Sequence, residues 1–221
     1  SAVYGSDALA GVVNFIMRRN FQGVQLDLQY GFYQHNNDFD GPGNLRNVIA
    51  ARGATNPSQF RLPADNVMDG YSREATLVIG TGSDDGRANI TAYLSYRNND
   101  YVIGGERDYS SCSLGTPPAA PLPGANHRCS GSSTSFPGRF TDFATFDYTL
   151  DLATGNFIPW NGSRDQYNFG PLNYFQRPDE RYSFGAFASY EINDHAELYA
   201  DMMFSDYSSV AQIAPSGSFF N

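Results

Sequence analysis

The sequence predicts an all-β fold made of antiparallel strands, and three observations support this class. Five segments alternate apolar and polar side chains with a period of two residues, the pattern of strands with one apolar face. The connections between these segments alternate between short and very long. Aromatic residues make up 15% of the chain, nearly all of them Tyr and Phe, which are good strand formers.

The five alternating segments each place one apolar set of side chains on one face. They lie at 24–32, 73–80, 88–97, 182–192 and 197–205. Their apolar sets are, in chain order, Val24, Leu26, Leu28, Tyr30 and Phe32; Ala75, Leu77 and Ile79; Ala88, Ile90, Ala92, Leu94 and Tyr96; Tyr182, Phe184, Ala186, Ala188, Tyr190 and Ile192; and Leu198, Ala200, Met202 and Phe204. The alternation predicts five strands, each with one apolar and one polar face. Val78, Phe187 and Met203 interrupt the polar sets, so the pattern is strong but not clean.

The connection lengths indicate how these strands are arranged. Residues 82–86 form an Asp-Gly hairpin turn and residues 193–195 a second short turn, whereas residues 34–71 and 98–180 form long connections. Outer-membrane β-barrels alternate short periplasmic turns with long extracellular loops, and their strands alternate in polarity. A soluble half-buried sheet shows the same alternation but rarely such long irregular connections. The sequence therefore predicts a piece of a membrane-spanning barrel.

Charge and composition narrow the function classes. The formal net charge is −9 and the chain contains no Lys, which argues against nucleic acid as a partner. No run of 18 apolar residues is present, so the sequence predicts no transmembrane helix. The absence of such a helix is compatible with barrel strands, which leave only a weak hydropathy signal.

The first residues carry the most specific motif. Residues 3–16 read Val-Tyr-Gly-Ser-Asp-Ala-Leu-Ala-Gly-Val-Val-Asn-Phe-Ile. Residues 5–7 can cap one helical turn, Gly11 can end it with a positive φ, and residues 12–17 have strand composition. The residues alone therefore predict a turn, one turn of helix and a strand.

This motif closely resembles the end of the plug domain of TonB-dependent outer-membrane receptors, where such a pattern directly precedes the barrel. The matching positions of the motif are Tyr4, Gly5, Ser6, Asp7, Gly11 and Asn14. The resemblance implies that residues 1–20 are the last piece of a plug domain. Residues 21–221 would be the N-terminal part of the barrel, with about five of its roughly 22 strands. We then expect the chain to be cut at both ends.

The resemblance also implies a function. Such receptors are not enzymes and have no cofactor. They lie in the outer membrane of Gram-negative bacteria, surrounded by lipid, and take up a scarce solute such as a siderophore, haem, cobalamin or a glycan. The proton-motive complex of the inner membrane drives uptake through TonB, which would bind a segment absent from this chain. The alternative is a non-transporting exported β-protein, such as an adhesin or a carbohydrate-binding surface module.

The two cysteines, Cys112 and Cys129, lie in the second long connection. An even number of cysteines in an oxidising compartment favours one disulfide. The Gly-, Pro-, Ala- and Ser-rich segment that this disulfide would close has no core of its own. A metal site is the alternative, but the chain has no C-x-x-C motif, and His127 is the lone additional ligand nearby.

Other candidate sites are weaker. Asn36, Asp38 and Asp40 match the first half of a calcium-binding loop, but Asn47 stands where a bidentate Glu is required. All three histidines fall in predicted loops or turns, and no motif of a catalytic site is present. The sequence therefore predicts neither a catalytic residue nor a resident metal.

One stretch of the second long connection combines aromatic and Arg side chains, which suits contact with a ligand. Its members are Trp160, Asn161, Arg164, Tyr167, Tyr174 and Arg177. The alternative is that these side chains pack the loop against itself or against the plug. Just before this stretch, residues 146–150 and 156–160 flank Asp-Leu-Ala-Thr-Gly, which predicts a small hairpin.

Overall fold

The computed structural model of the chain describes residues 20–38, 45–115 and 127–219. The plug-like motif at residues 3–16 and the predicted plug segment 1–20, apart from Asn20, lie outside the described residues. The chain is mostly β with antiparallel sheets, which confirms the predicted all-β class. Among the described residues, no helix combines the length and the apolar character needed to cross a membrane.

Twelve strands and two α-helices occur in the described part of the chain. The strands are β1 (Gly23–Asn36), β2 (Asn66–Gly82), β3 (Ala88–Asn99), β4 (Val102–Ile103), β5 (Ser113–Gly115), β6 (Arg128–Ser130), β7 (Arg139–Thr141), β8 (Asp147–Leu150), β9 (Phe157–Pro159), β10 (Tyr174–Gln176), β11 (Asp179–Asn193) and β12 (Ala196–Ser209). The α-helices are α1 (Leu45–Thr55) and α2 (Gly162–Asp165), and two single-turn 3₁₀ helices lie at Gly104–Glu106 and Gly170–Leu172.

The five long strands form one sheet in the order β1-β2-β3-β11-β12. Each long strand therefore neighbours the long strand that follows it in sequence. Five residues separate β2 from β3 and two separate β11 from β12, lengths that only antiparallel neighbours allow. All five predicted strands and both short turns are confirmed, because the alternating pattern is strongest in these segments.

Cross-strand contacts show that the two faces of this sheet differ in polarity, as predicted. The Tyr96 and Tyr182 rings, both from the predicted apolar sets, lie 4.9 Å apart between centroids. On the opposite face the Thr76 and Ser95 hydroxyls form a hydrogen bond of 2.9 Å. Facing residues of neighbouring strands point to the same side of a sheet, so the apolar sets share one face and the polar sets the other.

Large apolar side chains are exposed on this face in all five long strands, while Phe184 and Ala186 of β11 are half-buried. Leu26 of β1, Leu94 of β3 and Leu198 of β12 expose 60%, 56% and 64% of their surfaces. The polar face is partly covered, since Phe187 and Thr91 are buried on it. Phe187 interrupts the polar pattern because its ring stacks on Tyr93 at 6.2 Å. The sheet thus exposes the face that a soluble sheet would bury.

The described chain divides into two compact units. The first unit comprises residues 20–28, 74–96 and 181–206, which contain the start of β1, the β2–β3 and β11–β12 turns and the strand segments that adjoin those turns. The second unit comprises residues 29–38, 45–73, 97–115, 127–180 and 207–219, and it contains both long connections.

Both long connections contain regular structure, which corrects the prediction of irregular loops. The first runs over residues 37–65 and contains α1, and the second runs over residues 100–178 and contains β4 to β10 and α2. Both are shorter than the predicted 34–71 and 98–180 because the long strands extend further. Asp69 and Gly70 break the alternation near the start of β2, and His35 lies on β1 rather than in a loop.

The predicted hairpin within the second connection is confirmed. β8 and β9 are antiparallel neighbours, with Leu150 opposite Phe157, and β7 pairs with the other edge of β8. The turn between β8 and β9 ends with Gly155 at φ +73°, a left-handed conformation that suits glycine. The three strands form a small separate sheet.

A hydrophobic core lies within the second unit. Its buried members are Val48, Ile49, Phe60, Cys112 and Cys129. Val48 and Ile49 come from α1, whose apolar residues at 45, 48 and 49 share one helical face. Cys112 and Cys129 form a disulfide with a Cα–Cα distance of 5.7 Å. The first connection therefore supplies the core that the sequence between the cysteines lacks.

Candidate ligand-binding site

The predicted aromatic and Arg stretch does not form one site. Trp160 and Asn161 lie between β9 and α2, whereas Tyr167 and Tyr174 lie on separate segments after α2. Arg177 is exposed between β10 and β11. The stretch is contiguous in sequence, but the chain turns at α2 and at the 3₁₀ helix, so its side chains reach different surroundings.

The Trp160 ring is covered by another side chain. The Arg139 guanidinium lies 4.0 Å from the ring centroid and donates two hydrogen bonds, of 2.7 and 2.6 Å, to the Asp147 carboxylate. This pairing raises the pKa of Arg139 and lowers the pKa of Asp147. A charged guanidinium stacked on an aromatic face is a stabilising arrangement. This face of Trp160 therefore packs the loop.

Asn161 and Arg164 also serve local structure. The Asn161 Oδ1 atom accepts a hydrogen bond from Ser163 N at 2.8 Å and so caps α2. The Arg164 guanidinium bonds the Asp165 carboxylate at 2.6 Å and the Pro159 carbonyl oxygen at 2.9 Å. The Asp165 hydrogen bond raises the pKa of Arg164.

Tyr167 and Tyr174 line different cavities of the second unit. The Tyr167 backbone forms two hydrogen bonds with Ser132, of 2.7 and 3.0 Å, which join two distant segments. The Tyr174 ring stacks on the Tyr101 ring at 5.0 Å. Of the six predicted ligand-contact residues, Tyr167 is the one that lines the cavity described next.

This cavity, which we call the loop cavity, has a volume of about 670 Å³. Its walls come from three segments of the second unit, at 132–138, 167–173 and 213–218. The chain after β12 is held in place by hydrogen bonds from Tyr174 N to the Gln212 carbonyl, at 3.1 Å, and from Ala214 N to Asn173 Oδ1, at 2.8 Å. The loop cavity is therefore framed by paired backbone rather than by side chains alone.

The lining of the loop cavity combines aromatic rings with hydroxyl and amide groups. The aromatic members are Phe136, Tyr167 and Phe169, and the polar members include Asn173 and several Ser and Thr residues. None of the described residues that line it carries a charged side chain. Phe136 exposes 82% of its surface, so its ring is available to a bound molecule.

A second cavity of about 450 Å³ in the same unit has a different chemistry. It is lined by Tyr33, His35, Arg107, Tyr109 and Phe175, among others. The buried Arg107 guanidinium makes two hydrogen bonds to Asp69, which raises the pKa of Arg107. The cation at this cavity is therefore already paired with a carboxylate.

Asn37 links the segments around the Arg107–Asp69 ion pair through hydrogen bonds. Its side chain donates to the carbonyl oxygens of Ala64 and Glu106, at 2.7 and 3.0 Å, and accepts from Asp108 N at 2.8 Å. Sequence reasoning missed this buried network because its members lie in both long connections. The His35 Nε2 atom lies 3.5 Å from Asp108 Oδ1, within the same region.

The predicted calcium candidate lies only partly within the described residues. Asn36 and Asp38 are described, but Asp40 lies outside the described residues. Among the residues that the structure describes, no group of three or more His, Cys, Asp or Glu side chains is arranged to hold a metal ion.

Comparisons of this chain with protein-family models, with curated proteins and with solved structures find no match.

Proposed function

We propose that this chain is part of a TonB-dependent outer-membrane receptor that takes up a scarce solute. The observation that carries the proposal is the exposed apolar face of the five-stranded sheet. Contiguous exposed apolar surface on this scale marks a membrane or protein interaction site rather than an ordinary soluble surface. The plug-like motif at residues 3–16 supports the same family on sequence grounds.

Lipid is a suitable environment for this face. Leu28 and Leu198 expose most of their surface, and the strands that carry them are bonded into an antiparallel sheet. In a membrane, strands are stable only when their backbone groups pair with neighbouring strands. Barrel strands accordingly alternate between side chains that face lipid and side chains that face the lumen.

The opposite face suits the lumen of a barrel. Besides the Thr76–Ser95 hydrogen bond, the Ser183 and Ser205 hydroxyls lie 3.2 Å apart, and the Arg181 guanidinium donates to Ser205 at 3.1 Å. These groups satisfy one another across neighbouring strands. In the proposed receptor they would face the plug or trapped water, which explains charged residues midway along membrane strands.

Aromatic pairs on the apolar face support an interfacial position for one end of the strands. The Tyr30 and Phe32 rings of β1 each lie close to the Tyr71 ring of β2, at 6.1 and 6.2 Å. Nearby on β2, the Arg73 guanidinium bonds Asn98 at 3.1 Å. Aromatic rings beside long basic side chains are typical of the boundary between lipid and water.

The connections then define an orientation. The turns at 83–87 and 194–195 would face the periplasm, and the connections at 37–65 and 100–178 would face the outside. A disulfide in the outer connections agrees with an oxidising environment. The loops would capture the solute, and the TonB complex would then move the plug, so the chain would carry out no chemical reaction.

Solute uptake in whole cells tests the proposal. We expect disruption of the receptor gene to abolish the uptake of one solute from a panel of ferric siderophores, haem, cobalamin and neutral oligosaccharides. A protonophore should abolish the same uptake and leave binding to the cell surface intact. Full uptake in de-energised cells would show a passive pore. Surface binding with no uptake under either condition would favour an adhesin or a carbohydrate-binding module.

A further inference from the structure

We propose that the loop cavity binds a short neutral oligosaccharide. In the transport setting this inference rests on the proposed function, because it names the class of solute that the receptor would capture. The binding itself depends only on the cavity. The evidence is the shape of the cavity and the complete set of its described lining residues.

The cavity has the size and construction of a binding site. Its volume of about 670 Å³ falls inside the roughly 300–1,000 Å³ typical of small-molecule sites. Two of its walls are joined by the paired backbone of Ser132 and Tyr167. The third wall, residues 213–218, is bonded to Asn173. A preformed cavity spares a ligand the cost of ordering its walls.

The lining matches the two kinds of surface that a sugar presents. Phe136 and Tyr167 are aromatic residues of the lining, and an aromatic face carries a negative electrostatic potential that attracts the C–H groups on the face of a sugar ring. Ser216, Ser218 and Asn173 offer groups that can donate and accept hydrogen bonds, as sugar hydroxyls require. Rings and hydroxyl groups therefore lie around one space.

The absence of charged residues from the described lining selects against charged solutes. A carboxylate-bearing ligand loses hydration when it is buried and needs a cation to compensate for that loss. Haem has two carboxylates, and many ferric chelates carry net charge. The chain as a whole has a net charge of −9, so an unpaired anion would meet further repulsion. A neutral polyhydroxylated ligand avoids both costs.

The second cavity, of about 450 Å³, has a cationic side chain in its lining, unlike the described lining of the loop cavity. Arg107 lines that cavity, and its guanidinium is held by Asp69. Although Asp69 already pairs with it, Arg107 is a permanent cation in this lining, whereas the described lining of the loop cavity contains none. Binding assays that compare variants in the two cavities therefore separate the two solute classes.

The test uses the full-length receptor purified in detergent micelles. Short malto-, cello- and xylo-oligosaccharides are titrated by calorimetry, with ferric citrate, haem and cobalamin as the other probes. Phe136→Ala removes the most exposed ring of the cavity. We expect it to weaken oligosaccharide binding about tenfold, which corresponds to the loss of one stacked aromatic contact. Tyr109→Ala, in the second cavity, should leave oligosaccharide binding unchanged.

Phe143→Ala is the matched control. Phe143 exposes 86% of its surface, close to the 82% of Phe136, but does not line the loop cavity. We expect oligosaccharide binding by this variant to stay within about twofold of the parent, because it removes no ligand contact. Equal losses in Phe136→Ala and Phe143→Ala would overturn the proposal.

A third variant changes the shape of the cavity. A Cβ atom at Gly217 would lie 2.5 Å from Thr134 Cγ2, so Gly217→Val would displace the wall at 213–218. We expect this variant to lose oligosaccharide binding while an intact Cys112–Cys129 disulfide and an unchanged circular dichroism spectrum show that it is folded. Unchanged binding would contradict the proposed location.

The failure of this inference can be distinguished from the failure of the proposed function. If the receptor binds and imports only a charged solute or cobalamin in a proton-motive-force-dependent way, the solute class is wrong and the transport function stands. If it binds oligosaccharides in the loop cavity but does not import them, the inference stands and the transport function is wrong. Failure to bind any oligosaccharide of the three series would overturn the inference.

Discussion

Tyr96 of β3 and Tyr182 of β11 lie against each other on the exposed face of the sheet, with ring centroids 4.9 Å apart and planes inclined by 40°. About 80 residues of chain separate β3 from β11, yet these strands are neighbours in the sheet. The contact places the apolar sets of β3 and β11 on the same side of the sheet. The apolar sets of the other three strands continue this face.

The first prediction concerns adjacent residues on β11. Ala188 belongs to the apolar set and Ser189 to the polar set, and both are half-buried. In the membrane-inserted receptor we expect Ala188→Arg to reduce the free energy of unfolding by about 2–4 kcal/mol, because the charge would face lipid near the midplane. Ser189→Arg should cost much less. Urea titration of the receptor in lipid vesicles measures both. A larger loss for Ser189→Arg would place the core on the polar face.

The second prediction concerns orientation. Cysteines introduced at Ala153, in the turn between β8 and β9, and at Asp84, in the turn between β2 and β3, are both exposed. On whole cells, an impermeant maleimide should label Ala153→Cys and spare Asp84→Cys. Permeabilised cells should show labelling at both positions. Labelling of Asp84→Cys alone on whole cells would reverse the proposed orientation.

The third prediction concerns the disulfide. Cys112 and Cys129 are buried in the core of the second unit, 17 residues apart in sequence. Replacing both with Ala should destabilise this unit by about 3 kcal/mol, since the crosslink limits the unfolded chain. Limited proteolysis of the loops at increasing temperatures monitors the thermal unfolding of this unit and so measures the effect. Peptide mapping without reductant that recovers both thiols free would contradict the pairing.

The fourth prediction concerns pH. The Asp142 carboxylate accepts a hydrogen bond from the Thr145 hydroxyl and further bonds from the backbone of Phe146, Ala144 and Thr145, which hold its pKa well below the ordinary value of 3.8. A lowered folded-state pKa stabilises the turn above the unfolded-state pKa, and this contribution is lost as pH falls through the folded-state pKa. Protection of the amides at residues 144–146, measured as the exchange rate relative to the intrinsic rate at each pH, should therefore be retained at pH 4 and fall only in stronger acid. In Asp142→Asn, the protection of these amides should lose this acid dependence, and an unshifted carboxyl titration of Asp142 in the parent would contradict the account.

The strands could be predicted from sequence because one local pattern specifies them. The alternation of Leu26 and Leu28 with Asp27 is a local pattern that does not depend on distant residues. The short turns also have local sequence signals. Leu45, Val48 and Ile49 of α1 have the spacing of one helical face, a pattern that an alternation of two residues does not reveal.

The loop cavity could not be predicted, because it depends on contacts between distant segments. Ser132 meets Tyr167 across 35 residues, and Asn173 meets Ala214 across 41. The sequence instead predicted ligand contacts at Trp160 and Arg164, which are close together in the chain and contribute to local packing. Composition identifies residues suited to binding, while only the tertiary fold shows which of them share a cavity.

The central claim is that the apolar face of the sheet meets lipid, and spin-label accessibility tests it most directly. Nitroxide labels are attached at Leu28→Cys and, separately, at Gln29→Cys on β1 of the full-length receptor in lipid bilayers. Leu28 belongs to the apolar set and exposes 69% of its surface, and Gln29 points to the opposite face. We predict that the label at position 28 is accessible to oxygen and protected from a water-soluble nickel chelate. A label at position 28 that collides freely with the nickel chelate, or is shielded from both reagents as in a protein core, would contradict the account.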